Sequence, residues 1–189
     1  MRSSSPYDTH SEDILAEDSS SAASDRLERA STGEPAALAE LFDTYAPNVY
    51  RVAYAILLSA DEADDVVQDV FIGLPEALQH YKERGTFSAW LRIVTARTAL
   101  MRRRKIQRQA KPPAESPQHP DPSSALVERL TLERALAALP IDLRTVFVLK
   151  AIEGYSHEEI ARRLGIRRGT AEVRLFRAIR RLRDLLETV

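Results

Sequence analysis

The chain has no cysteine. This excludes a disulfide framework, a zinc ribbon and a thiol nucleophile, and it suits a reducing compartment. Histidine is scarce: His10, His80, His119 and His157 stand in four separate segments. Scattered single histidines do not make a metal or general-base cluster, so no metal, no cofactor and no enzyme activity is expected. There is no glycine-rich phosphate loop and no strand-like alternation, and no small-molecule substrate is expected. No apolar run approaches the roughly 18 residues that a membrane span needs, and the N-terminus lacks the apolar core of a signal peptide. A cytoplasmic protein that does not itself span the membrane is the expectation.

What the chain does have is charge sorted by position. Its net charge is −1, yet its segments are far from neutral. Residues 1–40 hold nine acids against three arginines, a net −6. Residues 97–111 hold five arginines and two lysines with no acid, a net +7, and residues 162–183 hold nine arginines against Glu172 alone, a net +8. Two separate basic segments in an otherwise acidic chain point to two contacts with a polyanion, weakening steeply with salt.

Composition divides the chain. Residues 1–31 are rich in serine and acids, bury too little apolar surface to offset ordering entropy, and are expected to be a disordered tail. Residues 111–123, KPPAESPQHPDPS, carry five prolines and read as a flexible linker. Two small helical domains, 32–110 and 124–189, are expected on either side, giving an all-α fold.

In the first domain Leu38, Leu41, Phe42, Tyr45, Val49, Val52, Ala53, Ile56 and Leu57 recur at the three-four spacing of a buried helix face, with Pro47 dividing or kinking the run. Ser59 and Glu62 stand in capping-box spacing before a second helix, whose inner face is Ala63, Val66, Val67, Val70, Phe71, Leu74 and Leu78. Its outer face carries Asp61, Asp64, Asp65, Gln68 and Asp69. Gly73 and Pro75 predict a bend or an end. A third helix starts near Thr86–Phe87, with Phe87, Trp90, Leu91, Val94 and Thr98 or Met101 inward and a basic end beyond.

The second domain opens with a helix through Leu126, Leu130, Leu132, Leu136 and Leu139. Pro140 begins another, with Val146, Phe147, Leu149 and Ile152 inward and Gly154 at its end. Then comes SHEEIARRLGIRRGTAEVRLFRAIRRLR (156–183). Ser156 and Glu159 form a capping box, Ile160, Ala161 and Leu164 one apolar face, and Gly165 a turn. Ala171, Leu175, Ala178 or Ile179, and Leu182 repeat at helical spacing and leave the arginines outside. This is the layout of a helix-turn-helix, whose second helix enters the DNA major groove.

Taken together, the motifs DEADDVVQDVF (61–71), FSAWLRIVTART (87–98) and LPIDLRTVFVLKAIEGYSHEEIARRLGIRRGTAEVRLFRAIRRLR (139–183) resemble the bacterial extracytoplasmic-function (ECF) sigma factors, a compact two-domain group of the major sigma family. The resemblance covers roughly 34–187. It implies a factor that binds RNA polymerase core and directs promoter-specific initiation. It also implies that Asp61, Asp64, Asp65, Gln68 and Asp69 meet the clamp of the β′ subunit. Arg92, Arg97, Thr98, Arg102, Arg103, Arg104 and Lys105 would contact the minus-10 element. Arg168, Thr170, Glu172, Val173, Arg174, Arg177, Arg180 and Arg181 would contact the minus-35 element. An anti-sigma factor is a further implied partner. The chain departs from the family pattern at Glu172 and Val173, where lysine and serine are usual, at Thr98, usually asparagine, and at Arg102, commonly acidic. The residues alone leave a second reading open, a free-standing helix-turn-helix activator, which requires a sensing domain ahead of the linker.

Overall fold

The computed structural model describes residues 21–82, 86–109 and 133–187. The proline-rich linker, the first part of the N-terminal tail and the helix expected through Leu126, Leu130 and Leu132 lie outside the described residues. Among those described there are helices and turns and no strand, an all-α fold. The chain forms two compact units, Met1–Ala99 and Leu100–Val189.

The first unit is built from α1 (Ser21–Ser31), α2 (Pro35–Leu57), α3 (Ala60–Ile72), α4 (Leu74–Gln79) and the first half of α5 (Phe87–Gln109). Pro35 opens α2, where a missing N–H costs nothing. Pro47 lies inside α2, which runs through it unbroken. The helix ends at Leu58 in the left-handed region, φ 56°, where its N–H donates to the Tyr54 carbonyl at 2.7 Å. Ser59 follows at once as the cap of α3, its hydroxyl accepting from the Glu62 N–H at 3.3 Å. The break expected at Gly73 and Pro75 separates α3 from α4.

Leu41, Val49, Val52 and Ile56 of α2 are buried with Val66 and Val70 of α3, Leu74 of α4, and Phe87 and Leu91 of α5. Fully buried alanines, Ala30, Ala37, Ala53, Ala63 and Ala96, let the helix backbones approach closely. Phe87 is the largest fully buried side chain, with Tyr45, Tyr81 and Trp90 around it at ring-centroid distances of 5.0, 5.8 and 5.5 Å. Trp90, a core anchor on sequence, is half-buried in this aromatic group.

Three expectations are corrected here. Residues 21–31 of the expected disordered tail form α1, which packs on α4 and α2. The physical reason is Ala30, fully buried, together with arginines that pair the local acids. Arg26 meets Glu40 at 3.0 Å, and Arg29 lies 3.5–3.6 Å from Asp25, Glu34 and Glu40. Phe42 is 44% exposed rather than inward, and packs edge-on against Phe71 at 4.9 Å. Met101 is 66% exposed, because α5 buries Ile93, Ala96, Ala99 and Leu100 instead.

The second unit comprises the end of α5, a helical stretch at 133–137, α6 (Ile141–Phe147), a π-helical turn (Val148–Ile152), α7 (His157–Leu164) and α8 (Arg168–Leu186). The last turns of α5 thus belong with the second unit, Arg104 meeting Asp142 of α6 at 2.7 Å. Arg144 explains the arginine that follows Leu139–Pro140. Its buried guanidinium donates to the carbonyls of Ala137 and Leu139 at 2.9 and 3.0 Å, satisfying acceptors a helix end leaves open. The π turn carries an extra residue and shifts the α-helical phase. That shift leaves Ile152, expected inward, 54% exposed.

Phe87→Ala is expected to destabilise the intact chain by about 3–5 kcal/mol, measured by urea unfolding, with Phe87→Leu costing much less. An equal loss for both would mean that the ring is not filling the space assigned to it.

Candidate nucleic-acid interface

The helix-turn-helix is set by two local devices. The Ser156 hydroxyl accepts from the Glu159 N–H at 3.2 Å while the Glu159 carboxylate accepts from the Ser156 N–H at 2.8 Å, a complete capping box. Gly165 ends α7 at φ 67°, and its N–H donates to the Ala161 carbonyl, a left-handed cap that a side chain would strain. Ile160 and Ala161 of α7 and Ala171, Ala178 and Leu182 of α8 are then buried. α8 packs on both α7 and α6. Of the residues expected inward on α8, Leu175 is half-buried and Ile179 is 42% exposed.

That packing decides what α8 presents. Arg168, Glu172, Val173, Arg177, Arg180 and Arg181 are exposed, and Thr170 is half-buried. Arg168 Nε donates to Glu172 Oε1 at 2.8 Å, and this carboxylate raises the Arg168 pKa above its ordinary value. Arg174 is placed differently. Its side chain is 21% exposed and lies 3.3 Å from the Asp142 carboxylate on α6. Asp142 also accepts from Arg104 Nη2 at 2.7 Å, so one acid holds an arginine from each basic segment. Phe176, not among the residues singled out on sequence, is 67% exposed. Its phase was the available signal, since it follows Val173 by three residues and is out of step with Ala171, Ala178 and Leu182.

On α5, Arg97, Arg104 and Lys105 are exposed and Thr98, Arg102 and Arg103 half-buried. Arg92 folds back on its own helix rather than projecting outward. Its Nε donates to the Ser88 carbonyl at 3.3 Å and its Nη2 to the Ser88 hydroxyl at 3.2 Å. Asn48 of α2 donates to that same hydroxyl at 3.3 Å. Ser88 thus receives Arg92 from its own helix and Asn48 from α2.

On α3, Asp61, Asp64, Gln68 and Asp69 are exposed and Asp65 half-buried. Gln68 lines an apolar groove of about 360 Å³ together with Leu38, Ala39 and Phe42 of α2 and Phe71 and Ile72 of α3. Ile72 is 78% exposed and was not singled out on sequence, although it continues the face of Asp65, Gln68 and Asp69. Among the described residues no cluster has metal-ligand character, and no helix is long and apolar enough to cross a membrane.

Two regions of the chain are similar to known families. Residues 41–109 match Sigma-70 region 2 and residues 129–182 match Sigma-70, region 4. The chain is 36% identical over 167 residues to the ECF RNA polymerase sigma factor SigE of Mycolicibacterium smegmatis, an alignment covering 82% of this chain and 65% of that protein. It is 33% identical over 175 residues to the ECF RNA polymerase sigma factor SigL of Mycobacterium tuberculosis, covering 86% of this chain and 96% of SigL. The solved structure of CnrH in complex with the cytosolic domain of CnrY superposes with a TM-score of 0.60 at 28% identity, covering 86% of this chain and 96% of that one.

Ser156→Ala is expected to cost the chain about 1 kcal/mol in urea unfolding. Hydrogen bonds from the Ser156 hydroxyl and N–H hold the Glu159 carboxyl below its ordinary pKa of 4.5; burial opposes them, and Arg162 and Arg163 add to the lowering. A lowered folded-state value stabilises above the unfolded pKa, and that stability is lost as pH falls through the folded value. Glu159→Gln should therefore be less stable than the parent at pH 7, with the gap closing as pH drops below about 4.5. A gap that did not depend on pH would remove the carboxylate charge from the account.

Proposed function

This chain belongs to the ECF RNA polymerase sigma factors, and we propose that it binds polymerase core through the α3 face and carries it to promoters read by α5 and α8. The carrying observation is that one small chain holds a helix-turn-helix with an arginine-rich outer face together with a separate helical unit whose acidic face adjoins an apolar groove. DNA binding alone gives no use to the second of these surfaces. Acids around an apolar centre suit docking on a basic protein partner, the charges steering the encounter and the groove excluding water. In this reading Gln68, with Phe42 and Ile72, lies at the centre of the polymerase contact, and Asp61, Asp64, Asp65 and Asp69 form its rim.

The two basic helices take the two promoter elements. Arg97, Arg104 and Lys105 on α5 meet the minus-10 element, with Arg102 and Arg103 beside them, while Arg92 and Thr98 support that helix. On α8, Arg180 and Arg181 neutralise phosphates and so position the helix, and the residues ahead of them read bases. Arg177, exposed midway along α8, suits the bidentate contact to guanine that arginine makes in the major groove. An anti-sigma protein is the expected regulator, covering these surfaces until it is released, and the site of action is the cytoplasm.

The test is run-off transcription on a fragmented bacterial genome with purified core polymerase. Discrete new transcripts that depend on the chain support the assignment. DNA binding without core binding would turn the assignment toward a free-standing activator. Asp65→Arg combined with Gln68→Arg is expected to abolish co-purification with core polymerase while the circular dichroism spectrum still shows a folded helical chain. Normal binding by the folded double variant would remove α3 as the docking face.

A further inference from the structure

The recognition helix carries one acid among its leading residues, and its surroundings are specific. Glu172 is exposed on α8, immediately before Val173, and the side chain of Val173 is followed on the same outer face by Phe176 and Arg177. A carboxylate turned toward DNA is repelled by the phosphates, so at such a position it needs both charge compensation and a donor to accept from. The compensation is in place: Arg168 Nε donates to Oε1 at 2.8 Å across one helical turn. The other oxygen, Oε2, has no partner among the described residues. The base-edge donors that the major groove offers are the amino groups of cytosine and adenine, and a carboxylate matches the cytosine N4 amino group.

We propose that Glu172 is a base-specificity residue of the minus-35 contact, its Oε2 accepting from a cytosine N4 amino group while Arg168 holds the carboxylate in place. Val173 and Phe176, 47% and 67% exposed, present apolar surface beside it, which suits a neighbouring thymine methyl. Arg168 acts here as a positioning residue. It fixes the carboxylate, reduces its repulsion by the phosphates and keeps donors of its own for the backbone. The inference rests on the assignment of α8 to the minus-35 element and adds to it the class of base that one residue selects.

A promoter library randomised across the minus-35 element, transcribed by core polymerase with each form of the full chain and sequenced, tests this. The parent should favour cytosine at one position. Glu172→Gln should lose that preference about tenfold or more while preferences at the other positions persist. Glu172→Lys should move the same position toward guanine, since lysine donates to guanine O6 and N7. Arg168→Ala should weaken the preference without changing the favoured base. If Glu172→Gln keeps every base preference of the parent and only lowers thermal stability, Glu172 is a helix-pairing residue and the proposal falls. If the parent itself yields no promoter-dependent transcript, the assignment of α8 fails, and this inference fails with it.

Discussion

The surfaces of this chain depend on the phase of each helix's buried stripe. At 3.6 residues per turn, burying Ala171, Ala178 and Leu182 leaves Val173, Phe176, Arg177 and Arg180 facing out, and no independent choice remains. On α3, burial of Ala63, Val66, Val67 and Val70 likewise sends Asp61, Asp64, Gln68, Asp69 and Ile72 to the surface. Small residues are central to this. Alanines with no exposed surface at positions 63, 171 and 178 bring neighbouring helices close enough that rotation of either would clash. The interior therefore aims the functional side chains, and the polar residues need only be placed in the right phase of the sequence.

Charge then has to be accommodated within that geometry. Arg144 shows one solution, a buried guanidinium satisfied by the carbonyls of Ala137 and Leu139 at a helix end. Asp142 shows another. Its carboxylate stands between Arg104 and Arg174, two cations that would otherwise repel each other. Ion pairs that solvent still reaches contribute little net stability, because water screens them and the side chains lose freedom. Their consequence is positional: Arg174 is drawn toward α6 and away from the outer face where Arg177 stands. A row of arginines that is uniform in sequence thus divides into residues tied within the fold and residues available to a partner.

Much of this was legible in the sequence, and the departures have identifiable causes. Capping residues spoke clearly: Ser156, Glu159 and Gly165 sit where their spacing placed them, as do Ser59 and the break at Gly73. Long periodic runs such as 38–57 and 63–70 read correctly as helices with an inner face. The failures concern phase and long-range partners. Phe42 fits the apolar period of α2, yet the neighbouring surface there is a groove rather than a covered core. Ile152 was displaced by a π turn, which leaves no mark in composition. Leu58 adopts a left-handed cap where glycine would be the usual signal. α1 was hidden because an acidic, serine-rich stretch looks unable to bury anything. Its helix depends on Ala30 and on arginines whose partners at Glu34 and Glu40 lie beyond its own end. The site residues divide the same way. Arg177 and Gln68 are exposed as expected, whereas Arg92 and Arg174 are engaged by Ser88 and Asp142, which no local pattern announces.

The near-zero net charge of the whole chain is therefore a poor guide to what it binds. At about 0.1 M salt the screening length is about 10 Å, close to the diameter of one helix with its side chains. A charge on one face is already much weakened at the opposite face, so a partner responds to the patch in front of it and not to the sum. The acidic α3 face and the arginine-rich α8 face belong to separate units, and each presents its own sign to a partner that reaches it. What such segregation requires is that like charges be gathered on a common face, and that requirement returns to the phase of the buried stripe. Moving the apolar set of α8 by one residue would turn its outer face by about 100°. The arginines, Glu172 and Phe176 would then face other surroundings with the composition unchanged.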